Sequence, residues 1–347
     1  MTEQQGGYRI HDWGGDLQWE EFDRRRPGEG EVLVRVEACS IGLTVLNCIA
    51  GNLSDDPALL PRVPGHEYVG IVTEVGVGVS PAMVGRRIVA YFYLACGTCS
   101  SCLAGDDARC ANLAGWVGVH RDGGYAPWAV LPAHNAVVVP DDLDPIAATV
   151  VPDAVATPVH VCMSRARIKP GDRVVVLGAG GGVGIHMVQV ARLLGGRVAG
   201  LDVQDPKLAL IEEHDALAVR SDDLSGLDSA LWREGPPTVV IDLVGSAETL
   251  QWGAASVGMA GRLVILTTFR DRALTVDPRQ MVFREFSIIG SRYAGRAEVS
   301  LAAELVATGR VKPVIGAVVE AEGVPAVHDA LRAGQLLGRG ALRWEDT

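Results

Sequence analysis

The sequence predicts an α/β protein of two domains, one mostly β and one a doubly wound parallel sheet, and three observations carry that expectation. At 347 residues the chain is longer than one hydrophobic core usually organises, since domains run to about 100–200 residues. Short apolar runs at 31–36, 69–75, 87–91 and 136–139, punctuated by Gly, Pro and Asp, read as the strands of a mostly β region. From Arg173 onward the texture changes. Apolar, β-branched runs at 173–177, 197–201, 238–242, 262–266 and 286–289 alternate with helical stretches at 185–194 and 206–214, the signature of a parallel sheet covered on both faces. After Ser291 come a helix-like segment at 297–308, a run at 314–319, a second helix and a last strand near 340–343. No internal repeat is present.

Composition narrows the function classes. Hydrophobic residues make up 48% of the chain and charged residues 21%, which excludes a disordered or low-complexity protein. Lys and Arg number 31 against 42 for Asp and Glu, a net charge of -11, and the only basic stretch is Arg24, Arg25 and Arg26; nucleic acid is not an expected partner. The chain begins with polar residues, and no apolar run approaches the about 18 residues of a membrane span, so a cytoplasmic protein without a membrane partner is expected. Of seven cysteines, four lie between Cys96 and Cys110, and without an export signal such a cluster points to metal before disulfides.

Two motifs carry chemistry. Gly178-Ala-Gly-Gly-Gly-Val-Gly184 follows an apolar strand and opens an apolar helix, the context in which glycines let the backbone approach a pyrophosphate at a helix N-terminus. Gly178, Gly181 and Gly184 fit G-x-x-G-x-x-G, with Gly180, Gly182 and Val183 completing the candidate cradle. The next strand ends at Asp202, an acid that can accept both hydrogen bonds of an adenosine ribose and would repel a 2′-phosphate, which favours NAD over NADP. The competing reading is a Gly-rich turn beside a surface Asp. Cys96, Cys99, Cys102 and Cys110 can wrap one tetrahedral Zn2+, and four thiolates leave no open position for substrate, so such a metal is structural. Here the competing reading is four reduced, metal-free cysteines.

Together these residues resemble the zinc-containing alcohol dehydrogenases of the medium-chain dehydrogenase/reductase family. The likeness extends over Pro27-Gly-Glu-Gly-Glu-Val-Leu-Val34, Pro64-Gly-His-Glu67, the Cys96 to Cys110 lobe, the Gly178 loop, Val240-Ile-Asp-Leu-Val-Gly245, Ala260-Gly-Arg262, Gly309-Arg-Val-Lys-Pro313 and Gly338-Arg339. It implies a GroES-like catalytic domain from 1–154 and 292–347, a Rossmann NAD-binding domain at 155–291, a homodimer or homotetramer, and hydride transfer between a small-molecule alcohol or carbonyl and the nicotinamide. It also implies Thr157 and Arg339 as further cofactor contacts, Arg339 at the pyrophosphate, and Phe92 and Trp116 as walls of the substrate pocket.

The departures from the family cluster at its catalytic metal. Gly42 stands where the first Cys ligand belongs, Leu43 at a phosphate-contacting position, Val45 at the acid that orients the zinc-bound His, and Asn47 at a relay His. Thr44, His66, Glu67 and Asp153 survive. His66 and Asp153 make two ligands where catalytic zinc sites have three, so a lost or weakly held catalytic zinc is expected, with substrate oxygen polarised by these four residues instead. Cys39 and Cys48 are not at the ligand position, and His120, His134, His160 and His186 read as structural. Three functions remain open: an NAD(H)-dependent alcohol/carbonyl oxidoreductase, a zinc-independent enone or quinone C=C reductase, and a catalytically silent NAD-binding protein. Neither a Gly-x-Ser-x-Gly elbow nor a Gly-Lys-Ser/Thr phosphate loop is present to support a hydrolase or kinase.

Overall fold

A computed structural model describes residues 3–225, 227, 234–267 and 272–345. The chain forms two compact units, one made of 1–156 and 294–347, the other of 157–293. Seven strands precede the second unit: β1 (Gln4–Arg9), β2 (Gln18–Asp23), β3 (Glu31–Ile41), β4 (Tyr68–Val75), β5 (Arg87–Ala90), β6 (Trp128–Pro132) and β7 (Ala136–Val138). The second unit holds β8 (Arg173–Leu177), β9 (Arg197–Asp202), β10 (Leu217–Arg220), β11 (Val239–Asp242), β12 (Arg262–Ile265) and β13 (Ser287–Gly290). The chain then returns to the first unit with β14 (Ile315–Val319) and β15 (Arg339–Arg343).

β3 organises the first unit. It runs five residues past the expected end at Val36 because Glu37, which interrupts the apolar run, is neutralised by Arg87: Nε and Nη2 donate to its carboxylate at 2.8 and 3.0 Å. Beyond it Ala38, Cys39, Ser40 and Ile41 are all buried. One edge of β3 pairs antiparallel with β6 through Glu31–Arg35 and with β15 through Ala38–Ile41, while β4 pairs antiparallel along the other edge. The β15 register sets Gly340 opposite Ile41, so the next step of the ladder brings Arg339 across from Gly42. β1 and β2 form a separate antiparallel ladder that the sequence reading misses, held by Tyr8 edge-on to Trp19 at 5.3 Å.

In the second unit six strands run parallel in the order β10-β9-β8-β11-β12-β13. β8 and β11 are Val- and Ile-rich and buried along almost their whole length, as strands covered on both faces must be. Successive connections run in opposite directions from the β8/β11 boundary, which makes the carboxyl end of β8 the switch point where open α/β sheets bind ligands. Leu177, Leu201, Val240 and Leu263 of the strands form one core cluster with Trp252 of the helix Ala247–Ser256. Most expected elements lie within one or two residues of their observed bounds; β6, β10 and the helices Leu43–Ile49, Ala247–Ser256 and Pro278–Arg284 are among those not read. Among the described residues no helix is long and apolar enough to cross a membrane.

A buried pair closes the C-terminal part of the first unit. His328, on the helix Val324–Arg332, places Nε2 2.9 Å from the Tyr125 hydroxyl. Burial, assisted by Arg332, pushes the imidazole down to about 4. Between about pH 4 and 6.5 the unfolded chain then binds a proton there that the folded chain refuses, so stability falls as pH drops through that window, by on the order of 3 kcal/mol for this group. Denaturant midpoints measured from pH 7 to 4 should show a shallower decline for His328→Gln than for the wild type; parallel curves would contradict this.

Candidate active site

Four charged or titratable side chains of the first unit converge from three separate segments of the chain. His66 and Glu67 sit immediately before β4, Asp153 lies in the helical turn Val151–Val155, and Arg339 opens β15. All are buried, with Glu67 fully so and Arg339 3% exposed. The Arg339 Nη2 lies 3.1 Å from Glu67 Oε2 and 3.4 Å from Asp153 Oδ2. His66 Nε2 stands 3.5 Å from the same Asp153 oxygen and 3.7 Å from the same Glu67 oxygen. Glu67 Oε1 accepts a hydrogen bond from the Ala154 N–H at 3.1 Å, which ties the carboxylate to the backbone beside Asp153. Burial pushes the Glu67 carboxyl above its ordinary range, the Arg339 cation opposes that shift, and Asp153 adds to it. The two His66 ring nitrogens and Arg339 Nε are buried without a hydrogen-bond partner among the described residues, polar capacity directed into the site.

The guanidinium is there because Gly42 is a glycine. A Cβ built on Gly42 would fall 1.4 Å from Arg339 Nη1 and 2.6 Å from its Cζ, so any side chain at 42 would compete for the space the guanidinium fills. The family resemblance places Arg339 at the pyrophosphate; in this structure its Nη2 faces two buried carboxylates, Glu67 and Asp153. No local sequence signal could have shown it, because positions 42 and 339 meet only through the β3/β15 ladder.

The surrounding residues are placed as follows. Phe92 packs its ring 4.4 Å from that of His66, and Trp116 stands edge-on to Tyr93 at 6.3 Å. Thr44 is half-buried in the first turn of Leu43–Ile49, with Val45 buried beside it, Leu43 exposed, and Asn47 accepting from Asn52 Nδ2 at 3.2 Å. Cys48 is a buried thiol held protonated by desolvation and by the Asp153 and Glu67 charges, and Cys39 is buried likewise. Trp116 N–H donates to His120 Nδ1, Arg296 Nη1 meets His134 Nδ1, and His186 Nδ1 meets the Gly182 carbonyl, so three of the remaining histidines are engaged locally.

One ligand atom from each of His66, Glu67 and Asp153 lies within 4.8 Å of the others, close enough to resemble a metal centre. Zinc would sit about 2.0–2.2 Å from the nitrogen and oxygen donors. That volume borders the guanidinium, which approaches two of the three ligand atoms. Two of the three ligand atoms, Glu67 Oε2 and Asp153 Oδ2, already face the Arg339 Nη2, so a metal would have to displace the guanidinium to use them.

The four lobe cysteines do fit a metal. Sγ separations of 3.5 Å for Cys99–Cys102 and Cys96–Cys110, and 3.9 Å for Cys96–Cys102 and Cys99–Cys110, match the edges of a thiolate tetrahedron with metal–sulfur bonds of about 2.3 Å. The Thr98 and Cys99 N–H groups donate to Cys96 Sγ and lower that thiol to about 5.

In the second unit the loop after β8 closes onto the end of β9. The Gly180 N–H donates to Asp202 Oδ2 at 3.0 Å and the Val203 N–H to Oδ1 at 2.8 Å. Gly178 has φ +77°, a Cβ on Gly184 would fall 2.2 Å from the Gly178 carbonyl, and one on Gly180 would fall 2.3 Å from Lys207 Cβ. The sterically required glycines are therefore 178, 180 and 184. Gly181, which the spacing singled out, has room, its nearest neighbour being 3.4 Å away. The helix Gly184–Leu193 begins with Val183 as its N-cap and no side-chain cap, the kind of helix N-terminus that can receive a phosphate, although the Ile185 N–H already donates to the Gly181 carbonyl at 2.9 Å. Thr157 is buried at the start of this unit.

Comparison with known proteins agrees with this architecture. The family "Alcohol dehydrogenase GroES-like domain" matches residues 28–141, and "Zinc-binding dehydrogenase" matches 182–308. An alcohol dehydrogenase of Geobacillus stearothermophilus is 31% identical over 349 residues, 97% of this chain and 98% of that protein. An acryloyl-coenzyme A reductase of Metallosphaera sedula is 30% identical over 326 residues, 91% of this chain and 93% of that one. The solved structure of a thermostable alcohol dehydrogenase from Pyrobaculum aerophilum superposes with a TM-score of 0.88 at 30% identity, covering 99% of this chain and 100% of that one. The chain belongs to the zinc-type alcohol dehydrogenases of the medium-chain dehydrogenase/reductase family, and is an oxidoreductase of that family.

Proposed function

We propose that this chain is an NAD(H)-dependent oxidoreductase acting on an alcohol/carbonyl pair, with a structural zinc on Cys96, Cys99, Cys102 and Cys110 and no catalytic metal. The observation that carries the reading is the glycine loop drawn onto Asp202, which combines an uncapped helix N-terminus for pyrophosphate with an acid for the adenosine ribose. Bound NAD would supply the hydride acceptor or donor. The chain's own groups hold the substrate oxygen: hydride reaching a carbonyl carbon leaves charge on that oxygen, and Thr44 and His66 are the groups suited to donate to it. Asp153 and Glu67, 3.5 and 3.7 Å from His66 Nε2, are placed to exchange the proton with it.

A second reading, reduction of a conjugated C=C bond by the same hydride, is favoured by the 30% identical relative named an acryloyl-coenzyme A reductase and by a cluster built without room for metal. Incubation with NADH and an α,β-unsaturated ketone separates the two. An allylic alcohol product supports the first reading and a saturated ketone the second. Absence of turnover across aldehydes, ketones and enones would leave a protein that only binds NAD.

Two expected outcomes follow from the cofactor and metal assignments. In titrations NADH should bind more tightly than NADPH by roughly tenfold or more, about 1.4 kcal/mol, and Asp202→Ala should narrow that gap; equal binding by the wild type would overturn the assignment. Elemental analysis should give close to one zinc per chain. Cys99→Ser should lose it and melt several degrees lower, at about 2–4 °C per kcal/mol for a domain of this size, whereas an unchanged melting temperature in a metal-free preparation would count against a structural zinc.

A further inference from the structure

We propose that Arg339 is the resident cation of the buried cluster: its guanidinium, admitted by the missing side chain at Gly42, takes the position a divalent metal would hold among His66, Glu67 and Asp153 and keeps metal out. Three observations on separate elements support it. The β3/β15 register brings Arg339 across from Gly42, so the sheet itself aims the side chain. The open space at Gly42 is filled by Nη1 and Cζ, which makes the glycine and the arginine a matched pair rather than two independent features. Nη2 then lies within 3.4 Å of both Glu67 Oε2 and Asp153 Oδ2, the two carboxylate atoms that also face His66 Nε2. A guanidinium stays protonated at any pH the protein would meet, so this charge, unlike a metal, is not removed by chelators or acid.

The inference deepens the metal-free reading of the active site, and its test is a metal count that requires no turnover. A lack of enzyme activity would sink the oxidoreductase reading while leaving this one standing, and the reverse also holds. Four full-length proteins are loaded with excess Co2+, exchanged into metal-free buffer and assayed for bound cobalt and zinc per chain: wild type, Gly42→Cys, Arg339→Gln, and the double variant Gly42→Cys/Arg339→Gln. The double variant, which regains a thiolate and loses the cation, should hold about one metal equivalent per chain more than the wild type, with the charge-transfer absorption of a Co2+–thiolate bond. Adding His66→Ala should remove that equivalent. Gly42→Cys alone should gain less than the double variant, since the guanidinium still competes for the space.

Were the wild type itself to take up a second equivalent that His66→Ala abolishes, the inference would be wrong. It would equally be overturned if Gly42→Cys alone gained as much metal as the double variant, or if the double variant folded and gained none. Should the double variant fail to fold, anomalous scattering from wild-type crystals soaked in Co2+ decides the matter. Density between His66 and Asp153 overturns the inference, and density confined to the four cysteines supports it.

Discussion

A guanidinium buried among carboxylates is stable only as a set. Taken out of water, Glu67 and Asp153 would each impose a desolvation penalty of several kcal/mol, and Arg339 would do the same alone; what makes the arrangement tolerable is that the guanidinium stands 3.1 and 3.4 Å from the two carboxylates. Removing one member leaves the others as uncompensated buried charges, which is more damaging than never having had the pair. The geometry that holds them is the antiparallel sheet around β3. Its far end carries Gly42, its partner β15 begins with Arg339, and its other partner β4 is entered through His66 and Glu67. The Ala154 N–H then binds Glu67 and locks the turn that carries Asp153. The chemistry of the first unit thus depends on one ladder register: a slip of one residue between β3 and β15 would turn Arg339 to the opposite face of the sheet.

The parts of this protein that were legible in its sequence are those whose signal is local. A glycine loop between an apolar strand and an apolar helix, or four cysteines within one loop, declares itself within a few residues, and in the structure the loop joins β8 to the helix Gly184–Leu193 while the four sulfurs gather within 3.5–3.9 Å. The parallel sheet was legible for the same reason, because strands buried on both faces must be nearly continuous Val and Ile. Even locally the reading erred where two constraints overlapped. G-x-x-G-x-x-G identified Gly181, while the backbone bond to Asp202 and the crowding by Lys207 make Gly180 the position that cannot carry a side chain. The N-terminal ladder was missed because β1 and β2 carry two glycines and several acids in place of clean apolar alternation.

The illegible part was the partner of a loss. The family resemblance puts Gly42 where a thiolate ligand is expected, and Val45 and Asn47 where that ligand's neighbours are expected. What fills the space cannot be read, because the occupant comes from the other end of the chain. Arg339 had been given a plausible role at a phosphate, and a single cation satisfies either role equally well in one dimension. In the structure this side chain is 3% exposed, with Nη2 3.1 and 3.4 Å from two carboxylate oxygens, a pairing visible only in three dimensions.

Replacing a metal by a guanidinium changes which half of a reversible hydride transfer a site can promote. A Lewis-acidic metal binds an alcohol oxygen directly and lowers its pKa, so it assists oxidation as well as reduction. A guanidinium supplies positive charge and hydrogen bonds to an oxygen that is gaining negative charge, but it neither coordinates an alcohol nor accepts its proton. On the proposed reading, proton handling therefore falls to His66 with Asp153 and Glu67. On that reading an oxyanion or enolate forming as hydride arrives takes its hydrogen bonds from Thr44 and His66, while Arg339 offsets part of the Glu67 and Asp153 charge that would otherwise oppose it, whether hydride enters at a carbonyl carbon or at the far end of a conjugated double bond. Both chemistries place their developing charge on oxygen, which is why the proposed arrangement accommodates either.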